Sequence, residues 1–284
     1  MVWLLFLIFP LQARSEVLHE FYYKIFRKGE HVGFSCRREE QDPGTKEWIF
    51  RTYVFTWDRD RLEHHIKLTT RSAEDFAPVE SIYEEKEGVE KPKTTKVKIN
   101  ISGSNILLKF KDDQTKAKEG GVLDPNGILS DATYRVLLRN SPKKGQVFRF
   151  SALKEDTGKQ TPGHLQVRDV KTIQGQKLYQ IVNDYELFTE EVWLTSDGQK
   201  LFTRLTNVDV TEEMAADASE AVGSLPVNRS EMTALFGEIP AGKKNWLITT
   251  KLKRDPKWFR SDFKIREISD SKSIPLRRNP DVSK

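Results

Sequence analysis

Paired ionisable residues are the first place to look for chemistry in this chain. They are His64–His65, Glu84–Glu85 and Glu190–Glu191. Neighbouring residues of a β-strand point to opposite faces of a sheet. The two members of a pair therefore cannot ligate one metal ion together or act as the two carboxyl groups of a glycosidase. We expect the histidines to be structural and the glutamates to be solvated charges.

The single cysteine, Cys36, excludes an internal disulfide framework and a cysteine-rich zinc site. It ends the run Val32–Cys36, which reads as a strand, and a nucleophilic cysteine needs a base and an activating environment. We expect a buried or half-buried strand residue. The chain also lacks a glycine-rich phosphate loop, a Gly-x-Ser-x-Gly turn and a His-Glu-x-x-His stretch. These observations predict a protein that is not an enzyme and that needs no cofactor and no metal.

Aromatic residues form the most suggestive cluster, between Trp48 and Trp57. Along a regular strand, even-numbered and odd-numbered members of this cluster lie on opposite faces. One face would belong to the core and the other could line a concave apolar binding surface, unless both are packed in the interior. With two aromatic residues from later in the chain, the predicted ligand groove consists of Trp48, Phe50, Tyr53, Phe55, Trp57, Tyr134 and Trp193.

The elements that must position these residues are short alternating runs separated by glycine-bearing turns. Phe21–Phe26 and Val32–Ser35 flank Gly29, and Leu178–Leu187 precedes a hairpin around Gly198. One clear helix is expected over Ser130–Asn140, capped by Ser130 or Asp131 and ended by Pro142. The predicted fold class is mainly β (α+β), a large curved antiparallel sheet or half-barrel wrapped around one short helix, with a basic C-terminal extension.

Three regions are expected along the chain. Residues 1–15 resemble a signal peptide, residues 16–210 form the curved β domain, and residues 211–284 hold a short helix over Thr211–Val222, a strand over Trp246–Lys253 and a basic extended tail. The signal-like feature is the apolar run Val2–Phe9, followed by small residues at Ala13 and Ser15. It predicts an exported protein, periplasmic or extracellular; the rival interpretation is a buried N-terminal strand.

Charge is distributed unevenly. The net charge is +5, but Lys243–Lys284 holds 13 Lys and Arg against 5 Asp and Glu, which leaves the preceding residues at −3. The main body is therefore not expected to bind nucleic acid. The tail could contact an anionic membrane surface or phosphates, or it could simply be solvated.

A resemblance to a known group of proteins rests on residues 127–207. The helix Ala132–Asn140 is followed by Lys144-Gly145-Gln146-Val147-Phe148, the turn at Gly175 and the run Glu191–Lys200. Nearer the start of the chain, Gly29–Ser35 opens a strand. This pattern resembles the β-rich N-terminal region of bacterial exported transglutaminase-like proteins and related periplasmic curved-sheet proteins with a lipoprotein-carrier-like architecture. Catalysis in that family belongs to a separate Cys–His–Asp domain, and Cys36 matches no catalytic motif. The resemblance therefore implies fold and compartment, not activity.

These features together predict a non-catalytic binding or carrier module of the cell envelope. A concave apolar groove would take a lipid or acyl chain, a lipoprotein or a partner protein of the envelope. The alternative is an accessory domain of a transglutaminase-like or protease system whose catalytic domain lies elsewhere. A hydrolase that uses scattered carboxylates finds little support in the sequence.

Overall fold

A computed structural model describes residues 15–57, 62–89, 92–110, 118–173, 175–185, 188–242 and 273–278. The signal-like segment before Ser15, the predicted strand Trp246–Lys253 and most of the basic extension lie outside the described residues. Within them the predicted fold class is confirmed, because the chain forms one large curved sheet of 16 strands and a few short helices.

The strands are β1 Glu16–Arg27, β2 Glu30–Gln41, β3 Trp48–Trp57, β4 Glu63–Ser72, β5 Pro78–Glu87, β6 Lys93–Ser102, β7 Asn105–Phe110, β8 Lys118–Val122, β9 Gly127–Leu129, β10 Val147–Leu153, β11 Gln160–Ile173, β12 Gln176–Tyr185, β13 Phe188–Thr195, β14 Lys200–Leu205, β15 Val210–Met214 and β16 Ile274–Pro275. The helices are a 3₁₀ turn at Ser130–Ala132, then α1 Thr133–Arg139, α2 Ala218–Val222 and α3 Arg229–Phe236.

The sheet consists of two runs of antiparallel strands joined by one short strand, and β9 and β16 add to the edge strand β10 in parallel. The spatial order is β16-β10-β11-β12-β13-β14-β15-β1-β2-β3-β4-β5-β6-β7-β8, and β9 pairs with β10 beside β16. The linking strand β15 pairs with β14 on one side and with β1 on the other, with Met214 opposite Tyr23. Strand pairing therefore continues beyond residue 210, where the sequence pattern placed the end of the β domain.

The predicted helix over Thr211–Val222 is wrong in its first half. Residues up to Met214 belong to β15, and α2 begins only at Ala218, where Asp217 accepts a hydrogen bond from the Glu220 N–H at 2.9 Å. Glu and Met in this stretch favour a helix locally, but two strand edges were available for pairing and their backbone hydrogen bonds decided the outcome.

Curvature brings the two ends of the strand order together. Ile99 and Ile106, from β6 and β7, pack in one apolar cluster with Leu129 and Leu153 from β9 and β10. Gln160 at the start of β11 donates to the Val122 carbonyl at 2.7 Å and accepts from the Asp124 N–H at 2.6 Å, which ties the end of β8 to the opposite run. The curved sheet therefore wraps around an interior, although among the described residues its two edge strands, β8 and β16, are not paired with each other.

The helix α1 occupies this interior. Val136 and Leu137 are fully buried and pack in one cluster with Phe50 of β3 and with inward residues of β10 to β13. The predicted helix over Ser130–Asn140 is thus confirmed in position. The predicted caps are not, because no side chain caps the 3₁₀ turn or α1 and the Ser130 hydroxyl donates to Glu155 Oε1 at 2.8 Å.

The helices α2 and α3 cover the outer face of β1, β2 and β3. They bury Cys36, Tyr53 and Phe55 in one apolar cluster, so the prediction of a buried strand cysteine is confirmed. Burial raises the pKa of the Cys36 thiol, with Glu20 acting in the same direction, which keeps the thiol protonated and unreactive.

Charged residues of the sheet hold both ends of α3. At its C-terminal end, Arg51 donates to the Leu235 carbonyl at 3.1 Å and Arg38 to the Phe236 carbonyl at 3.0 Å, which satisfies groups that a helix end leaves unpaired. In its first turn, Glu231 binds Lys67 at 2.5 Å and also binds Lys86. The helix is therefore positioned by ion pairs as well as by its apolar side.

Replacing Glu231 should loosen α3 in a pH-dependent way. Burial raises the pKa of this carboxyl, but Lys67 and Lys86 outweigh burial and bring the pKa to about 2. Its contribution to stability is therefore present above the ordinary carboxyl pKa and is lost as the pH falls towards about 2. We expect Glu231→Gln to lower the free energy of unfolding by about 1 kcal/mol at neutral pH.

Urea titrations at neutral and acidic pH measure this effect. The exposed Glu74→Gln serves as the control and should match the unmodified protein at both pH values. A Glu231→Gln deficit that is as large at about pH 3 as at neutral pH would contradict the ion-pair account.

Candidate functional site

A partly open cavity of about 330 Å³ lies on the concave side of the curved sheet, beside the start of α1. One part of its wall is apolar and comes from Phe150, Ala152, Tyr185 and Leu205. The other part is polar or charged and consists of Arg37, Ser130, Asp131, Thr133, Tyr134, Asn183, Glu190 and Lys200. A smaller pocket of about 50 Å³ shares Arg37, Asp131, Tyr134 and Lys200 with it, so these four residues stand between two internal spaces.

Strand register explains why charged residues face inward. Glu190 lies opposite Asn183 on β12 and opposite Leu205 on β14, and side chains directly across from one another share a face. Glu190 therefore shares its face with the buried Val192, two residues further along β13. Arg37 on β2 lies opposite Phe21 of β1, another residue that lines the smaller pocket.

Glu190 is the centre of one polar cluster. Its Oε2 accepts from the Tyr134 hydroxyl at 2.6 Å and from Asn183 Nδ2 at 3.2 Å, and its Oε1 accepts from Lys200 Nζ at 3.0 Å. Burial raises the pKa of Glu190, but the Lys200 ammonium and the donated hydrogen bonds outweigh burial and leave the pKa below its ordinary value. The carboxylate is therefore ionised, and Lys200 also lies 4.7 Å from the centre of the Tyr134 ring.

Arg37 forms a second ion pair in the same wall. Its Nη2 donates to Glu212 Oε2 at 2.7 Å, and the Ser35 hydroxyl donates to the other carboxylate oxygen at 2.5 Å. The guanidinium carbon lies 5.2 Å from the centre of the Tyr23 ring. Although Arg37 is inside the sheet, 26% of its side-chain surface is accessible, which fits its position in the cavity wall.

Asp131, which is half-buried, and Glu155, which is buried, form a pair of carboxyl groups with raised pKa values. Glu155 Oε1 accepts from both the N–H and the hydroxyl of Ser130, at 2.8 Å each. Burial, followed by the charge of Asp131, raises the pKa of Glu155 to about 7. Burial also raises the pKa of Asp131, although Arg37 and Lys200 act against it. Within the described residues Asp131 forms no ion pair, and its Oδ2 is buried without a hydrogen-bond partner.

The structure distributes the seven predicted groove residues over two faces. Phe50 and Tyr134 line the internal pockets, and Trp48 is close to them, with its ring 5.2 Å from that of Phe76 and 5.6 Å from the Arg135 guanidinium. The odd-numbered aromatic residues of β3, Tyr53, Phe55 and Trp57, pack under α2 and α3 on the outer face, and Trp193 lies on the face of β13 opposite Glu190.

Sequence reasoning missed the charged members of the cavity wall. The prediction that Glu190 and Glu191 diverge is confirmed, because Glu190 faces Leu205 and Glu191 lies in the alternate phase, where it accepts from Gln180 at 2.7 Å. The prediction that they are solvated is wrong for Glu191, which is 1% exposed, whereas Glu190 is half-buried in the cavity wall and bound to Lys200. The strand alternation could have shown that Glu190 faces the interior, because Glu190 lies on the same face of β13 as the apolar residues Val192 and Leu194.

Two further observations bear on the chemistry of the described residues. No three histidine, cysteine, aspartate or glutamate side chains among them are grouped closely enough to hold a metal ion. None of the helices in the described ranges is long and apolar enough to cross a membrane.

Comparisons with known proteins support the architecture. No protein-family model and no curated protein matches the chain. Among solved structures, it is similar to a β-barrel-like protein with a domain of unknown function, DUF1849, from Brucella abortus, with a TM-score of 0.56, 11% identity, and coverage of 72% of this chain and 98% of that chain. A DUF1089 family protein from Pseudomonas aeruginosa covers 71% of this chain and 94% of its own at 12% identity, with a TM-score of only 0.35. The first likeness shows a β-rich, barrel-like fold, and that neighbour is not described as a transglutaminase-like protein.

Removing the ammonium beside Glu190 should destabilise the interior. In Lys200→Met the Glu190 carboxylate keeps Tyr134 and Asn183 as donors but loses its ion-pair partner. We expect the free energy of unfolding to fall by about 2 kcal/mol at neutral pH, the scale of losing a bond to a charged group. The deficit should shrink as the pH falls, because protonation of Glu190 removes the unpaired charge.

Urea unfolding of Lys200→Met beside the exposed Lys159→Met tests this expectation. A loss in Lys200→Met no greater than that in Lys159→Met would show that the Glu190–Lys200 pair does not stabilise the fold.

Proposed function

We propose that this protein is a non-catalytic binding module of the cell envelope that holds a small amphipathic molecule in its internal cavity. The observation that carries the proposal is the cavity of about 330 Å³, which has an apolar wall on one side and a preformed set of ion pairs on the other. Its volume lies at the lower end of the range for small-molecule sites in proteins.

The mixed wall favours an amphipathic ligand over a plain hydrocarbon chain. Phe150 and Tyr185 stack with ring centres 6.3 Å apart and offer an apolar surface. A ligand that was hydrocarbon throughout would also cover Arg37 and Asp131 and would remove their water without replacing its hydrogen bonds, which is costly. If the ligand is a lipid or acyl chain, as the sequence predicts, we therefore expect it to carry a polar group.

The polar groups are already held in place before a ligand arrives. Arg37 is fixed by Glu212, and Glu190 is fixed by Tyr134, Asn183 and Lys200. Preorganisation of this kind reduces the ordering cost of binding.

A binding role also agrees better than catalysis with the residues of the larger cavity. Its described wall contains neither histidine nor cysteine. Export rests on the signal-like run Val2–Phe9 and on the sequence resemblance to periplasmic proteins.

Mass spectrometry of protein purified without detergent tests the proposal. We expect a small amphipathic molecule to be released on denaturation and to raise the thermal unfolding midpoint when it is added back. Ala152→Leu places extra methyl groups in the cavity wall and should reduce binding, whereas the matched change Ala234→Leu on the exposed side of α3 should not.

Filling the cavity can itself destabilise the fold, so urea unfolding of Ala152→Leu accompanies the binding measurement. A well-folded Ala152→Leu that binds the released molecule as tightly as Ala234→Leu does would refute binding in this cavity.

A further inference from the structure

We propose that the polar group of the ligand is a cation, a primary ammonium group, and that Asp131 is its counter-ion. The proposal rests on the proposed function of the cavity and specifies the chemistry of the molecule bound there. Its basis is the pairing of charges in the cavity wall, where the cations have carboxylate partners and one carboxyl group has no cation.

Both cations of the larger cavity have carboxylate partners, although Arg37 Nε is itself buried without a hydrogen-bond partner. Arg37 Nη2 is 2.7 Å from Glu212 Oε2, and Lys200 Nζ is 3.0 Å from Glu190 Oε1. An anionic ligand would have to compete with one of these carboxylates, and the displaced carboxylate would remain enclosed without a partner. Leaving such a group unpaired costs more than the new contact would gain.

Asp131 differs from these two cations because it has no partner of opposite charge among the described residues. It lies in the wall of both internal spaces, forms no ion pair within the described part of the chain, and has its Oδ2 buried without a hydrogen-bond partner. Buried polar atoms normally have partners, and an exception beside a cavity points to a group that is supplied from outside. A primary ammonium group brings three donors and the missing positive charge.

The charged and titratable groups around Asp131 favour a cation, and Thr70 of β4 is an uncharged polar neighbour. The cations are Arg37 from β2, Arg135 from α1 and Lys200 from β14, and Arg135 is bound to Glu39. The carboxyl groups are Glu39 from β2, Asp131 itself, Glu155 after β10, Glu190 from β13 and Glu212 from β15, and the Tyr134 hydroxyl is bound to Glu190. Among these groups the carboxyl groups outnumber the cations by two. Arg38 and Arg51 also line the smaller pocket, but each has its own carboxylate partner, Glu20 and Glu40, so the excess is unchanged.

The apolar wall determines the rest of the ligand. Phe150, Ala152 and Tyr185 face the same space as Asp131 and suit an alkyl or aromatic portion. The inferred ligand class is therefore an amphipathic primary amine.

Affinity for such a ligand should rise with pH. Burial raises the pKa of Asp131, and the pKa of its neighbour Glu155 is about 7, so the pair holds a proton at mildly acidic pH. An alkylammonium group stays charged up to a pH of about 10. Binding of the amine must therefore displace protons from the carboxyl pair near neutral pH, whereas binding of an uncharged analogue should displace none.

Three probes of equal chain length test the proposal by calorimetry: n-octylamine, 1-octanol and octanoate. We expect octylamine to bind at least about tenfold more tightly than octanol, since one bond to a charged group is worth that ratio or more, and octanoate to bind most weakly. Octylamine binding should be tighter at about pH 8 than at about pH 6, and near neutrality its heat should depend on the ionisation enthalpy of the buffer because protons are released.

Asp131→Asn identifies the counter-ion. We expect this variant to bind octylamine and octanol equally and to lose proton release, while the exposed Asp209→Asn behaves like the unmodified protein. If Asp131→Asn does not fold, the ranking of the three probes on the unmodified protein still decides the question.

Different failures have different meanings. Octanoate or octanol binding more tightly than octylamine would overturn the ammonium proposal and leave the cavity as an amphiphile site. An octylamine preference that persists in a folded Asp131→Asn would overturn the role of Asp131. Absence of binding by all three probes would count against the proposed function itself.

Discussion

The pairing of β15 with both β14 and β1 is the constraint on which the rest of the structure depends. This strand of five residues joins the run β10–β14 to the run β1–β8, so that strands far apart in the chain form one continuous sheet. Without it, the face of β2 that carries Arg37 and the face of β13 that carries Glu190 would not enclose the same space. The ion pair of Arg37 with Glu212 of β15 adds a side-chain contact to this seam.

Enclosure changes what polar residues on the concave face must do. A residue such as Glu190 could remain hydrated on a flat sheet, but in the wall of a cavity that a curved sheet surrounds its carboxylate needs donors. The structure supplies them from α1, β12 and β14, through Tyr134, Asn183 and Lys200. The interior therefore has an apolar part around α1 and a charged part at the cavity. The helix α1 contributes to both parts, through Val136 and Tyr134 respectively.

The outer face of β1 to β3 also combines an apolar cluster with ion pairs, but here helices cover the sheet. There α2 and α3 cover the aromatic residues of β3, and the arginine and lysine side chains of β2 to β5 fix both ends of α3. This arrangement explains why the aromatic cluster of β3 does not form a single groove. Its even-numbered members turn towards α1, and its odd-numbered members turn towards α3, as strand alternation requires.

The sequence by itself determined the mainly β class, the interior helix over residues 130–140, the divergence of Glu190 from Glu191 and the burial of Cys36. All of these follow from local periodicity and turn residues, which act within a few residues of the chain. Only the tertiary structure decided that Val210–Met214 is a strand and that Arg37, Asp131, Glu190 and Lys200 meet at one cavity. The pairing of β15 with β1 and the ion pair of Arg37 with Glu212 join residues more than a hundred positions apart, and their energies depend on the space that curvature of the sheet creates, which no local pattern records.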